Sequence, residues 1–367
     1  MTPSAPAVSE VANGEGLPQR RAVAINAIAH PRCALCSHEG ELLYSGLVDW
    51  LYGVPRTWGT RWCSRCQLAW LDPQPVPADV PRLYSRYCTH DAGQLNTWIG
   101  RLQEAATECA LKRLGYPVKC SGEILPRLLS TLPSFRRYAT LSVLGLPSSE
   151  TGSLLDVGCG NGQFISRMRS FGWTVSGIDP DPAAVALGSK QGLHIRTGMV
   201  ADLPETERYD VITLSHVVEH VSDPVTLLRE CAKRLQPNGR LILATPNINS
   251  LGHSWFERFW RGLEVPRHFI IFSPAAFHTC VARAGLVVES LTTETRLAQM
   301  IYKQSSNARA GATSVGEATH TSFGTKLAAR LFHIIEKIVV AVGRNSGEEI
   351  FCVCAKPVAS TAETEKS

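Results

Sequence analysis

From residue 153 onward the chain alternates short apolar runs with helical stretches, at a spacing that few architectures tolerate. "SLLDVGCGNGQF" is an apolar strand ending in Asp156, a turn holding Gly158, Gly160 and Gly162, and the start of a helix through "FISRMRS". "TVSGIDPDP" is a second strand ending in Asp179, "LHIRTG" a third ending at Gly198, and "YDVITLS" a fourth. "GRLILATPN" follows the turn "QPNG" as the fifth, "LVVESL" is the sixth and "EEIFCVCAKP" the last. This alternation predicts an α/β fold: a parallel, doubly wound, Rossmann-like sheet of seven strands, with ligands at the strands' carboxyl ends.

The glycine turn narrows the choice of ligand. Dinucleotide binding by G-x-G-x-x-G needs glycine at 163, where Gln163 stands, and the G-K-[ST] of a phosphate loop is absent. What the chain has is D-x-G-x-G-x-G. The glycines let backbone approach a ligand closely, while Asp156 would repel a phosphate. Asp179 is placed to accept hydrogen bonds from ribose hydroxyls. A ligand with a ribose, a cationic end and no phosphate fits these demands, and S-adenosylmethionine is such a ligand.

"LLDVGCGNGQF", "GIDPDP", "YDVITLSHVVEHVSDP", "LQPNGRLILATPN" and "FSPAAFHTCVARAGL" resemble, in order and spacing, class I S-adenosylmethionine-dependent methyltransferases over roughly residues 150 to 295. The N-terminal cysteine pairs, "LDPQP…LYSRY" and "WRGLEVPRHFIIFS" are similar to a narrower group, bacterial methyltransferases with an N-terminal zinc-binding module, related to sugar C-methyltransferases and found in surface-polysaccharide biosynthesis. The resemblance implies that Asp156, Gly158, Gly160 and Gly162 hold the methionine end, Asp179 the ribose, and Met199 and Val200 the adenine, with Ser215 closing the cofactor site. Many relatives carry an acidic residue where Met199 stands, and Asp202 is the nearby substitute.

"SHVVEHV" (residues 215 to 221) spells H-x-x-E-H, a zinc-peptidase signature that needs both histidines on one helix. Here it follows the fourth strand, and "SDP" begins the next helix with Ser222 or Asp223 as cap and Pro224 in the first turn. The stretch is therefore a strand-to-helix loop facing the methyl acceptor. Methyl transfer needs a positioned acceptor and a group to take its proton, which suits a histidine at neutral pH. His220 is the first choice as base, with Glu219 orienting it or binding an acceptor hydroxyl and His216 beside the methyl group. The competing reading is that Glu219 and His220 only cap and pin the loop. A similar E-x-x-E-H string in quinone-acting relatives binds a divalent cation, which leaves a metal at His216, Glu219 and His220 open. Arg261, Arg267 and His268 are acceptor-side candidates able to grip a phosphate or carboxylate.

Upstream, "CALC" and "WCSRC" place Cys33, Cys36, Cys63 and Cys66 in two C-x-x-C knuckles 26 residues apart. Four thiolates make a closed tetrahedral cage, so a structural Zn²⁺ in a ribbon-like module is expected, not a thioredoxin-type redox site. The other eight of the 12 cysteines show no ligand spacing and read as packed thiols, since no export signal precedes them. Four prolines (73, 75, 77, 81) keep the next segment extended until a helix begins near Arg82, and Tyr84, Tyr87 and His90 either pack the ribbon or line an acceptor pocket.

The expected organisation is a disordered leader (1–29), a zinc-binding module (30–90), a helical connecting layer (91–150), the methyltransferase domain (151–357, with an insertion at about 294–348) and a disordered tail (358–367). Within the insertion, "SSNARAGATSVGEATHTS" reads as mobile. "LAARLFHIIEKIVVAV" puts Arg330, His333, Glu336 and Lys337 on one side of a helix, leaving a broad apolar face for the core or for peripheral contact with a membrane surface. It is no membrane span, and a cytoplasmic location is expected, with peripheral membrane contact left open. A net charge of +5, spread diffusely, and the lack of [DN]-P-P-[YF] after the fourth strand argue against nucleic acid and an RNA-directed module. The expected acceptor is a sugar, nucleotide-sugar or lipid-linked glycan, and the alternative a small quinone or secondary metabolite receiving methyl on oxygen.

Overall fold

The computed structural model describes residues 25–84, 98–312 and 322–357. The leader up to 24, the tail from 358, and Tyr87 and His90 lie outside them. The N-terminal part contains strands β1 (Ala27–Ile28), β2 (Glu41–Leu47), β3 (Trp58–Cys63), β4 (Leu68–Leu71) and β5 (Gln74–Pro75). A 3-10 helix then spans Pro77–Tyr84. It starts five residues before the expected Arg82, because Pro77 and Pro81 carry the fixed φ of helix as readily as that of extended chain. Helices α1 (Trp98–Arg113), α2 (Ile124–Leu129) and α3 (Pro133–Ser142) make the connecting layer. Within it Cys109 and Cys120 are joined as a disulfide, with Cα atoms 4.4 Å apart. That corrects their reading as packed thiols: the chain reverses after α1 and carries the second sulfur back onto the first.

The central sheet holds β6 (Ser153–Val157), β7 (Thr174–Asp179), β8 (Ile195–Thr197), β9 (Tyr209–Ser215), β10 (Leu235–Pro246), β12 (Val287–Glu294) and β13 (Glu349–Ala355). Its order is β12-β13-β10-β9-β6-β7-β8. Six strands run in one direction, and β13 runs antiparallel to its neighbours β10 and β12. The chain leaves β12 at Glu294, passes through two further helices and re-enters at the same end of the sheet, with Glu349 opposite Glu294, so β13 runs back against β12. The chain winds from β6 out to β8 and then crosses back to β9 on the other side of β6. That reversal opens a crevice at the carboxyl ends of β6, β7 and β9, where ligands bind in doubly wound sheets.

Between these strands lie α4 (Gln163–Ser170), α5 (Pro182–Lys190), α6 (Pro224–Lys233), α7 (Leu251–Phe256) and α8 (Pro274–Arg283). Three of them start the same way. Asp181, Asp223 and Ser273 accept a hydrogen bond from the backbone N–H of Ala183, Thr226 and Ala276, and a proline follows each cap. The proline's absent N–H costs nothing where the helix has no partner for it.

A second sheet joins the two halves of the chain. Its order is β11-β4-β3-β2, where β11 (Ile270–Phe272) comes from the catalytic half and pairs antiparallel with β4, Ile271 opposite Ala69. A bridge from Asn247 to Phe272 ties the same strand to the end of β10. Leu68, Trp70 and Leu71 therefore share one core with Leu243, Phe269 and Phe277. The expected boundary near residue 90 divides the sequence but not the packing.

The insertion forms α9 (Ala298–Arg309) and α10 (Phe323–Ala341), packed against each other. Ser305 to Arg309, read as mobile, thus belong to a helix: Ser305 is buried and its hydroxyl accepts from the backbone N–H of Arg261. In α10 the buried residues are Ala329, Phe332 and Glu336, while the aliphatic side chains face outward. This is the reverse of a helix whose apolar face meets the core.

Candidate functional site

The crevice begins with the turn after β6. Asp156 lies between Gly177 on β7 and Thr213 on β9, and the Thr213 hydroxyl donates to its Oδ1 at 2.6 Å. Burial, with the charge of Asp179 nearby, raises its pKa to about 7 even though Thr213 opposes the shift. Gly158 (φ +71°) passes so close to Val217 that a Cβ would sit 2.5 Å from a Val217 methyl carbon. Gly160 (φ +54°) has open space where a Cβ would be, so here the backbone is bare towards the crevice.

Asp179 ends β7 and is held on both oxygens: Oδ2 accepts from Gly160 N–H and Oδ1 from Asp181 N–H, each at 2.8 Å. A carboxylate oxygen has two lone pairs, so each can accept again, as binding a pair of ribose hydroxyls demands. Met199 is 47% exposed, Val200 is buried, and Asp202 Oδ2 accepts from Met199 N–H at 2.7 Å. Asp202 thereby closes the turn that carries Met199. Glycine turn, buried acid and ribose-spaced carboxylate together suit S-adenosylmethionine. Ser215 is the last residue of β9, opposite Ala244.

His216 follows in a left-handed conformation (φ +58°), unusual for a side-chain-bearing residue. Both ring nitrogens are engaged, Nδ1 with Glu219 Oε1 at 3.1 Å and Nε2 with Glu349 Oε1 at 2.7 Å. Removal from water would lower its pKa, but the two carboxylates outweigh this and lift it to about 10. Arg296 binds both oxygens of Glu349 at 2.6 Å and keeps it charged. An imidazolium donating both protons cannot take another. The structure thus places His216 as a fixed cation, not as a base or metal ligand.

Glu219 is fully buried, and its Oε2 accepts from the Thr245 hydroxyl at 3.1 Å. His220 has Nδ1 3.0 Å from the Arg267 carbonyl oxygen and 3.0 Å from Tyr84 Oη. A carbonyl only accepts, so Nδ1 carries the proton and Nε2 is left with a lone pair. His268 lies edge-on to His220, ring centres 4.8 Å apart, and its Nδ1 donates to the Gly262 carbonyl at 2.8 Å. Burial lowers the pKa of His268 to about 4, so it is neutral. Glu219, His220 and His268 each bring a ligand atom within 4.8 Å of the others. One carboxylate and two neutral imidazoles form a donor set able to hold a divalent cation.

The two arginines are not exposed to an acceptor. Arg267 has 0% of its side chain exposed; it makes a bidentate pair with Asp49 (2.7 and 2.9 Å), reaches Glu264 at 3.0 Å and stacks over Tyr52. Arg261 binds Gln304 and Glu264. The anion grip expected of Arg267 is corrected on this ground, since Asp49 and Glu264 use its donors, while Arg261 is turned towards Gln304 and Glu264. Asp49, Thr213 and Glu349 were missed because each works through a partner distant in sequence or on a neighbouring strand; Glu264 was missed although its partners Arg261 and Arg267 lie three residues to either side. The spacing of Cys33, Cys36, Cys63 and Cys66 does carry through to space, with their sulfurs all within 4.8 Å of one another. Both knuckles close alike. Ser37 N–H donates to the Cys33 carbonyl and Gln67 N–H to that of Cys63, both at 2.8 Å, with Ser37 and Gln67 at positive φ.

Residues 129–291 match a family model described as a methyltransferase domain. The chain is 30% identical over 189 residues to a ubiquinone biosynthesis O-methyltransferase of Xanthomonas oryzae pv. oryzae, covering 47% of this chain and 75% of that protein. It is 34% identical over 138 residues to the mitochondrial ubiquinone biosynthesis O-methyltransferase of Candida albicans, a match spanning 35% of this chain and 40% of that one. A solved S-adenosylmethionine-dependent methyltransferase from Mesorhizobium loti superposes with a TM-score of 0.41 at 13% identity, over 59% of this chain and 96% of that one.

Proposed function

Because this chain belongs to the S-adenosylmethionine-dependent methyltransferase family, we propose that it methylates a hydroxyl oxygen of a small quinol-type acceptor. The names of the relatives favour this acceptor over the sugar or glycan expected from the N-terminal module. The observation that carries the reading is His220, whose Nδ1 is tied to the Arg267 carbonyl so that Nε2 stays a proton acceptor.

S-adenosylmethionine supplies an activated methyl group and a neutral sulfide as leaving group. The protein's share is to hold the acceptor and remove its proton. His220 Nε2 takes the hydroxyl proton as the oxygen attacks the methyl carbon; the carbon–sulfur bond breaks and its electron pair stays on sulfur. Tyr84 Oη, 3.0 Å from Nδ1, and the Arg267 carbonyl hold the ring in place. Buried Glu219, bonded to His216 and Thr245, fixes the turn that carries His220.

His220→Gln should keep cofactor affinity and lose about 10²- to 10⁴-fold in kcat, read with labelled cofactor and a soluble catechol or quinol. Unchanged turnover would remove His220 as base. Nucleotide sugars assayed in parallel test the acceptor class, and methylated sugar with unmodified quinol would return the reading to glycans.

The same proposal places a structural Zn²⁺ on Cys33, Cys36, Cys63 and Cys66, since four thiolates leave no position for water. Elemental analysis should find one zinc per chain in the wild type and none in a Cys36→Ser, Cys66→Ser variant. Because β4 pairs with β11, whose sheet adjoins Arg267 and His268, metal loss should also lower turnover. A fully active, metal-free variant would contradict the assignment.

A further inference from the structure

Helix α10 turns outward the side that a core helix would bury. Leu327, Leu331, Ile334, Ile338 and Val342 follow one another at i, i+4, i+7, i+11 and i+15, a single stripe on the helix surface. Their exposure runs from 49% at Leu327 to 71% at Val342. Isolated apolar side chains on a surface need no explanation, but a continuous stripe over four turns does.

The charges of α10 are sorted as well. Lys326, Arg330 and Lys337 are exposed along one flank of the stripe. Lys303 of α9 joins them in space: burial, and then the like charges of Lys326 and Arg330, lower its pKa. The one acidic residue of α10, Glu336, is fully buried and faces inward. Burial and the neighbouring Glu348 raise its pKa, so it adds little negative charge to the outer face. The outer surface is therefore apolar beside cationic, with no acid on the helix to offset the cations.

This pattern selects among occupants. A second copy of the same face would bring its own cations to the same seam, and like charges in contact are costly. An anionic bilayer surface satisfies both halves at once: aliphatic side chains enter the acyl boundary while Lys and Arg reach the headgroup phosphates. Among the described residues no helix is long and apolar enough to cross a membrane, which leaves lying in the interface as the geometry on offer. We propose that α10 is an interfacial helix that docks the protein on an anionic lipid surface through Leu331 and Ile338, with Lys326, Arg330 and Lys337 on the headgroups. The proposal goes beyond the acceptor reading and stands whichever acceptor is methylated.

The test is co-sedimentation of the purified full chain with phosphatidylcholine vesicles, with and without phosphatidylglycerol, read without turnover. Binding should be at least about tenfold tighter to the anionic vesicles and should weaken with salt. A Leu331→Gln, Ile338→Gln variant should lose about tenfold or more on anionic vesicles. A Lys326→Ala, Arg330→Ala variant should lose about tenfold there and little on neutral ones. Both variants change only exposed side chains and should retain cofactor binding and wild-type helicity, which separates lost docking from unfolding. The proposal falls if the wild type binds neither vesicle, or if both variants bind as it does. It also falls if the wild type is a dimer that the Leu331→Gln, Ile338→Gln variant dissolves, for the stripe would then belong to a second copy.

Discussion

Arg267→Ala is expected to cost about 3–5 kcal/mol of folding stability, measured by urea or thermal unfolding. The guanidinium is wholly buried and spends its donors on Asp49, in the N-terminal half, and Glu264, in the loop before β11. Alanine leaves buried Asp49 with backbone N–H groups but no countercharge, and Glu264 with Arg261 alone; an uncompensated buried charge is among the costliest defects a protein carries. Asp49→Ala should cost a similar amount for the mirror-image reason. Asp49→Ala combined with Arg267→Ala should then cost clearly less than the two losses added, because the second change removes the charge that the first stranded. Strict additivity would mean that the two do not act as a pair. An arginine that gripped an acceptor would behave differently, lowering acceptor affinity at little cost in stability.

Asp179→Ala is expected to abolish binding of S-adenosylmethionine within reach of calorimetry, a loss of about 10²-fold or more. Two hydrogen bonds to a charged acceptor are each worth roughly 1.5–3 kcal/mol. Asp179→Asn separates geometry from charge. Both native oxygens already accept a backbone N–H, from Gly160 and from Asp181. An amide must turn its NH₂ towards one of those N–H groups, donor against donor, and so it disturbs the glycine turn as well as the ribose contact. Asparagine should therefore bind nearly as poorly as alanine. Wild-type affinity in either variant would sink the assignment of Asp179.

Much of the fold could be read from the chain because its signals are local. An apolar run ending in Asp156 or Asp179, a glycine turn, and a proline behind Asp181, Asp223 or Ser273 each depend on a handful of neighbours. The same holds for the cysteine knuckles, where C-x-x-C dictates the turn and two turns need only face each other. The place of His220 was legible as well, since "SHVVEHV" follows the fourth strand and precedes a helix start at "SDP". The readings that changed all involve partners far along the chain. Arg267 looked like a free cation until Asp49, 218 positions away, took it up. His216 was expected beside the methyl group, with a metal there left open, until Glu349, 133 positions away, closed on its second nitrogen. Cys109 and Cys120 looked like packed thiols until the reversal after α1 joined them.

The α10 helix separates the two kinds of information most clearly. The sequence by itself determined an amphipathic helix and which residues share a face, because the 3.6-residue period is a property of the backbone. It also determined the alternation of strands and helices and the residues of the glycine turn after β6. Only the tertiary structure decided that α10 buries Glu336 and Phe332 and shows its aliphatic stripe to the outside. It alone decided that β11 completes the N-terminal sheet. The physical reason is common to both. Periodicity says that a face is apolar, but which surface it meets depends on what the rest of the chain has already covered, and whether a buried charge is tolerated depends on the partner that folding brings to it.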